Sequence, residues 1–277
     1  MKVIKSDGKV VEFDESKVRQ SILRVGIDKH GVDDVLEKVK SRIKENMTTK
    51  EIFAIVYTEL DRKDTCFACR YNLRDALLRL GPAGYKFEKY VASILRAYKY
   101  DAYNPEKELQ GSCVGHEVDV VAERDGRRMF IEAKFRNDFK DYVNLKDTMA
   151  TWSRFLDLVD GAAVGKCPHF DECWIVTNAA FSDRAKKFGM CKGIHMIGWN
   201  FPESAPFSQM VDNSALYPVT VIDHLRNNEI EALSRNDIML CRELTEHDPD
   251  ELTQKLGSDE VRAEQLIELC AKIVEGK

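Results

Sequence analysis

The sequence predicts an α/β chain in three segments: a small β-hairpin followed by helices, a central mixed sheet layered with helices, and a short all-helical end. Three observations predict it. Residues 1–80 open with two β-branched runs about a tight turn and then adopt helical periodicity. Residues 81–205 alternate between helical spacing and short apolar strands, the pattern of a mixed layered fold. Residues 215–277 keep helical spacing almost throughout, beyond a linker marked by Pro202, Pro206 and neighbouring serines.

In the first segment, Val3-Ile4-Lys5 and Val10-Val11-Glu12-Phe13 flank Ser6-Asp7-Gly8-Lys9, where Asp-Gly supplies a hairpin turn. Asp14 or Ser16 caps the next helix, whose apolar face is Val18, Ile22, Leu23 and Val25. Helical periodicity recurs at 32–45, at 52–60 after a Thr48-Thr49 cap, and at 67–80, where Gly81-Pro82 stops it. The second segment begins with a helix whose inner side is Tyr85, Phe87, Tyr90, Val91 and Ile94. Short strands are expected around Ala102 and Cys113, at 118–122 and at 129–135, the last two joined by a turn at Asp125-Gly126. An amphipathic helix (145–159), a buried strand (173–177), a helix from Ser182 and a strand (194–199) complete it. Helices of the third segment break at Asn236-Asp237, Asp248-Pro249 and Gly257-Ser258.

Bulk properties narrow the function classes. The formal net charge of −5 gives no overall basic footprint, so any nucleic-acid binding rests on local patches. No apolar run approaches the roughly 20 residues that cross a bilayer, and no signal-peptide core opens the chain, which therefore reads as cytoplasmic without a membrane partner. The absence of GxxxxGK[ST] argues against a P-loop motor. Eight cysteines in such a chain read as reduced thiols. A zinc module on Cys167, His169, Cys173 and Cys191 is the weaker alternative, because paired knuckles at regular spacing are missing.

Chemistry is concentrated in the central segment. Along Glu117-Val118-Asp119-Val120-Val121-Ala122, alternation puts Glu117 and Asp119 on one face and Val118 and Val120 in the core. On the next strand Glu132 and Lys134 project together, and the hairpin lays them beside Asp119. Two carboxylates that close repel each other, and a hard divalent cation relieves the repulsion. Mg²⁺ (or Mn²⁺) there would supply a water nucleophile toward a phosphodiester, with Lys134 as a compact positive charge for that water or the developing anion. Glu88, on the preceding helix, is a candidate supporting carboxylate. The bland alternative is a solvated outer sheet face. An Asp followed by Glu-x-Lys on the next strand, within a helix–meander–helix–strand order, favours the site. His116, on the opposite strand face, is structural or substrate-proximal. Arg127, Arg128, Arg136, Lys140 and Lys146 are expected to flank the cluster, and Thr177 and Asn178 either contact phosphate or cap the next turn.

Asp119 with Glu132-Ala133-Lys134, the upstream Phe87-Glu88, the run at 174–178, Phe181-Ser182 and Ala185 resemble the Mrr-type restriction endonuclease branch of the PD-(D/E)xK superfamily, over about residues 81–199. The resemblance implies Mg²⁺-dependent cleavage of DNA, with Asp119 and Glu132 as metal ligands and Lys134 as the catalytic lysine. Many Mrr-type proteins carry Gln where this chain has the more usual acid, Glu132. Double-strand cleavage by one such site usually needs two chains, so a homodimer is expected. Val3, Lys5, Asp7-Gly8, Phe13, Lys17, Thr49 and Ala68-Cys69-Arg70-Tyr71 resemble an ATP-cone over roughly residues 1–75. That resemblance implies ATP or dATP binding, with Val3 at the base, Lys5 and Lys17 at phosphates and Thr49 on the nucleotide. Ser6 and Val11 stand where the family usually has a basic and an acidic contact. Residues 217–277 look like a helix-hairpin-helix tail, with Gly257 as its one hairpin glycine; DNA docking and protein packing both remain open. Together these imply a DNA endonuclease regulated through the cone. The alternative is a nucleotide-sensing, DNA-binding regulator with a catalytically silent nuclease fold.

Overall fold

Two β-branched runs zip into the first element. In the computed structural model, which describes residues 1–5, 8–81, 86–138 and 140–276, β1 (Lys2–Ile4) and β2 (Val10–Glu12) pair antiparallel with Val3 opposite Val11. Ser6 and Asp7 of the expected turn, Pro82 of the expected helix stop, and Tyr85 lie outside the described residues. Asp14, not Ser16, caps α1 (Glu15–Leu23), accepting from the backbone N–H groups of Ser16 and Lys17. Asp28 caps α2 (Lys29–Arg42), which therefore starts earlier than its apolar periodicity. A third strand, β3 (Met47–Thr48), lies parallel to β1, too short to carry a period. Thr48 and Glu51 form a capping box at the start of α3 (Thr49–Asp61). The expected continuous helix at 67–80 is instead two, α4 (Thr65–Tyr71) and α5 (Leu73–Leu80). Asn72 between them has ψ near 0°, a bridge conformation outside the α region. Ile22, Val32, Val35, Val56 and Leu60 centre the core of this part.

The central stretch runs α6 (Phe87–Ala97), β4 (Asp101–Tyr103), β5 (Leu109–Gln110), β6 (Gly115–His116), β7 (Val120–Arg124), β8 (Arg127–Lys134), β9 (Tyr142–Val143), α7 (Leu145–Ala163), β10 (Glu172–Thr177), β11 (Ala180–Phe181), α8 (Asp183–Lys192), β12 (His195–Ile197) and α9 (Phe207–Ser214). Five strands form one mixed sheet in the order β12-β10-β8-β7-β4. The β4–β7 and β7–β8 pairs are antiparallel and the β8–β10 and β10–β12 pairs parallel. Asp125 and Gly126 both have positive φ, 53° and 73°, which suits the two-residue turn between β7 and β8. Val121, Phe130 and Ile175 pack with Phe155 and Leu158 of α7 on one sheet face. Cys113, expected in a strand, lies in the bend between β5 and β6, and β7 begins at Val120 instead of Val118. The expected linker after Pro202 folds in part as α9. Phe207, Met210 and Val211, at helical spacing, are buried there, and Phe207 meets Phe87 and Tyr90 at 5.6 and 6.1 Å.

The chain ends in α10 (Asn227–Arg235), α11 (Cys241–Leu244), α12 (Pro249–Leu256) and α13 (Glu260–Glu275), with breaks where turn residues were expected. Gly257, at φ 62°, closes α12 in the left-handed region that a side chain disfavours. Packing separates two compact units, Met1–Gly84 with Ala215–Lys277, and Tyr85–Ser214. Inside the first, buried Arg70 of α4 donates to the carbonyls of Lys272, Ile273 and Gly276 at the end of α13, and to that of Val25. No helix among the described residues is long and apolar enough to cross a membrane.

Candidate active site

The β7–β8 hairpin builds the site. Its register pairs Val121 with Phe130 and Val120 with Ile131, so the next position places Asp119 across from Glu132. Asp119 sits just before β7 in a bend, not inside a continuous strand from Glu117. Its Oδ2 accepts the Ala133 N–H at 2.7 Å, taking a backbone donor that the ladder leaves unpaired, and Asn104 Nδ2 donates to its carbonyl at 2.7 Å. Alternation along β8 puts Glu132 and Lys134 on the face of Phe130, the face that α7 covers. Glu132 is 2% exposed. Lys134 Nζ holds its Oε1 and Arg154 Nη1 of α7 holds its Oε2, while Arg154 Nη2 also donates to the Glu117 carbonyl. The acid thus lies deep, with both ammonium and guanidinium nearer the mouth.

Burial pushes the Asp119 carboxyl up to about 6, and the Glu132 charge adds to that; the Ala133 N–H, Lys134 and Arg154 pull the other way. Such a pair is what a hard cation offsets. Both side chains offer only oxygen, and Asp119 Oδ1 has no hydrogen-bond partner among the described residues. No group of three or more His, Cys, Asp or Glu side chains suited to a metal forms among the described residues. Two carboxylates with the remaining positions left to water and phosphate is the manner in which Mg²⁺ or Mn²⁺ binds, and the all-oxygen donor set fits it once Glu132 gives up one of its contacts to Lys134 and Arg154.

The other expected residues divide. Glu88 is half-buried in the first turn of α6. The neighbouring Phe87 meets Phe135 at 5.5 Å, and by alternation Phe135 belongs to the sheet face away from Glu132 and Lys134. No hydrogen bond or ion pair joins Glu88 to the cluster among the described residues. Arg127 and Arg128 do not flank the site. They stand at the far end of the 8-residue β8, roughly 20 Å from Lys134, and pair with Glu172 and Glu123. The hairpin that brings Asp119 to Glu132 necessarily carries the turn arginines away. Arg136 pairs with Asp147 at 2.6 Å, whereas Lys140 and Lys146 are exposed. His116 bonds Asp157 at 2.8 Å and serves the β5–β6 bend. Thr177 Oγ1 donates to the Lys134 carbonyl at 2.6 Å, and the Asn178 amide bonds both the N–H and the carbonyl of Arg136. These two clamp the strand end that carries Lys134. Cys167 bonds the Leu158 carbonyl, Cys173 is buried in β10, Cys191 is exposed and His169 pairs with Asp171, so the four zinc candidates do not converge.

Arg154 is the site residue that sequence reasoning missed. Its signal is a charge bordering the buried Thr148, Thr151, Phe155 and Leu158 stripe of α7. A charged side chain at such a border commonly reaches a buried partner.

In the N-terminal hairpin, Val3 is 4% exposed and packs in the core. Lys5 and Thr49 are exposed and leave the parallel β1–β3 ladder at the same end, one residue beyond the Ile4–Thr48 pair. Lys17 is exposed on α1 and pairs with Asp14 at 3.2 Å; among the described residues no bond joins it to Lys5 or Thr49.

Comparison with known proteins places both ends of the chain. Residues 1–71 match the family described as the ATP cone domain, and residues 217–274 match the one described as AF1548-like, C-terminal. An uncharacterized protein of Archaeoglobus fulgidus is 35% identical over 166 residues, which is 60% of this chain and 90% of that relative. A crystal structure of AF1548, a protein of unknown function, is 33% identical with a TM-score of 0.56 and covers 69% of this chain and 97% of its own.

Proposed function

The chain belongs to the AF1548-like family, with an ATP cone domain at its N-terminus, and from that premise we propose that its central unit is a metal-dependent DNA endonuclease of the PD-(D/E)xK type, Mrr-like, regulated by ATP or dATP on the cone. One juxtaposition carries the reading: Asp119 lies opposite Glu132 in register, with Lys134 on the Glu132 carboxylate. In this reading residues 1–80 bind nucleotide, 81–205 cut, and 215–277 pack or dock DNA through the α12–Gly257–α13 hairpin.

Asp119 and Glu132 would hold a Mg²⁺ or Mn²⁺ ion, which would supply Lewis acidity toward the phosphodiester. The chain does the positioning. The Ala133 N–H fixes the Asp119 carboxylate, and Arg154 fixes that of Glu132 from the opposite side. Lys134 presents a point positive charge to the attacking water or to the developing charge on phosphorus-bound oxygens. Thr177 and Asn178 hold the strand end, so the ammonium stays within reach. In the cone, Lys5 and Lys17 meet phosphates, Thr49 bonds the nucleotide and Val3 backs the base. Two copies of the chain cut the two strands.

The test is cleavage of supercoiled, linear, branched and methylated DNA by purified protein with Mg²⁺ or Mn²⁺, with and without ATP and dATP. Cleavage is expected from wild type and is lost, by at least about 10²-fold, from Asp119→Asn and Lys134→Ala. Retained metal-dependent cleavage in either variant would refute the roles given. A second reading has one observation in its favour: both oxygens of Glu132 are already engaged by cations of the chain. On that reading the fold is catalytically silent and the protein is a nucleotide-sensing, DNA-binding regulator. Wild-type protein that binds DNA and dATP yet cuts no DNA form would favour it.

A further inference from the structure

A groove of about 640 Å³ opens where β9, α7 and α8 meet, within the size of typical ligand clefts. Its walls carry Lys146 of α7 and Arg184 of α8, both exposed and neither with an ion-pair partner among the described residues. No acid lines it, although the chain as a whole is acidic. Of the acids next to lining residues in sequence, Asp147 pairs with Arg136 at 2.6 Å, while Asp141 and Asp183 are exposed and do not line the groove. The N-cap residues of two helices, Asn144 and Ser182, also face it, so two positive helix ends add to the same field. An anion is the complement of this surface.

The rest of the lining is apolar. Tyr142 is 53% and Met149 48% exposed, beside Leu145 and Ala150. Lys146, Met149, Ala150 and Ser153 recur at helical spacing along one face of α7. The residue after Ser153 is Arg154, the one that grips Glu132. Arg154 also lies one turn beyond Ala150 of the groove wall, so α7 itself joins the groove's residues to the acidic pair. A duplex presents phosphates outward and keeps its base faces stacked inside, so it leaves an exposed tyrosine and methionine unused. A single strand offers both phosphates and base faces to such a wall.

We propose that this groove seats a single DNA strand, with Lys146 and Arg184 on successive stretches of phosphate and Tyr142 and Met149 under splayed bases, leading the strand toward Asp119 and Glu132. This rests on the nuclease reading only for where the strand ends. The measurement is fluorescence anisotropy of the full chain with a labelled oligo-dT and with a duplex of equal length, in EDTA so that nothing is cut, across a series of salt concentrations. Wild type is expected to bind the single strand more tightly. K146A/R184A is expected to weaken binding at least 10-fold and to flatten the slope of log K against log salt by about 1.4, two single-strand phosphates' worth. Y142A is expected to weaken binding at least 5-fold with the slope unchanged. No single-strand binding by wild type, equal or tighter binding of the duplex, or an unchanged slope in K146A/R184A overturns the proposal. Failure of the nuclease reading looks different: no cleavage in metal, while the binding pattern above persists.

Discussion

Glu132 is held between two cations inside the protein, and that has separable consequences for stability and chemistry. Removing one partner of a buried carboxylate leaves its charge partly uncompensated. Arg154→Met keeps the length and apolar stem of the side chain while deleting both its bond to Glu132 and its bond to the Glu117 carbonyl. We expect it to lower stability by about 2 kcal/mol in urea unfolding followed by tryptophan fluorescence; an unchanged midpoint would mean that Lys134 alone satisfies Glu132. Asp119→Asn is expected to act in the opposite sense. The amide oxygen still accepts the Ala133 N–H, but the cost of burying a charge and, added to it, the repulsion from Glu132, which together hold the Asp119 carboxyl near 6, disappear. The variant should therefore be as stable as wild type or about 1 kcal/mol more stable, while cleavage falls at least about 10²-fold. A variant that loses both stability and cleavage would show that Asp119 is chiefly a structural partner of the hairpin.

At the scale of elements, α13 depends on a residue some two hundred positions earlier. Arg70 is 2% exposed and donates to the carbonyls of Lys272 and Ile273 in the last turn of α13, where carbonyls run short of intrahelical donors, and to that of the C-cap Gly276. Arg70→Met should leave the carbonyls of the buried residues Ile273 and Val25 without this donor and cost on the order of 3 kcal/mol, read as a lower urea midpoint by far-UV circular dichroism. A loss confined to a few tenths of a kcal/mol would mean that water replaces the guanidinium. This contact also marks what sequence reading reaches. Elements with enough residues to express a period were legible: the β1–β2 hairpin, α1 to α3, α7, α8, β10 and the Asp125-Gly126 turn. The two-residue ladders β5–β6 and β9–β11 were not, because two residues carry no alternation. Asn72 divides α4 from α5 without the glycine or proline that advertises a break. The Asp119, Glu132 and Lys134 juxtaposition followed from strand parity around one turn. Arg154 and Arg70 did not, since their partners are fixed only when separate elements pack.

For the whole molecule, the two ends of the chain share one unit and the middle forms the other, so the units can be told apart by their response to acid. In the first unit, burial would raise the Glu229 carboxyl, but hydrogen bonds from Arg262 and Arg226 overcome it and hold the group at about 2. Arg262 lies on α13 and Glu229 on α10, so the carboxylate ties these helices together. A folded pKa below the unfolded value, about 4.3, means that the unfolded chain binds the extra proton. The stabilisation is complete above that value and is lost as pH falls through 4 toward 2. Because α13 is also the helix that Arg70 holds against α4, loosening it removes acceptors from inside the cone. The cone and the C-terminal helices should then unfold together. All three tryptophans, Trp152, Trp174 and Trp199, belong to the second unit, so their fluorescence is blind to that event. An acid titration should lose helical circular dichroism before tryptophan fluorescence changes. In Glu229→Gln the protein should be less stable at neutral pH, and its circular dichroism transition should be shallower between pH 4 and 2. Coincident transitions in wild type, or a Glu229→Gln curve that overlays it, would mean that Glu229 does not govern the acid response of the unit built from both chain ends.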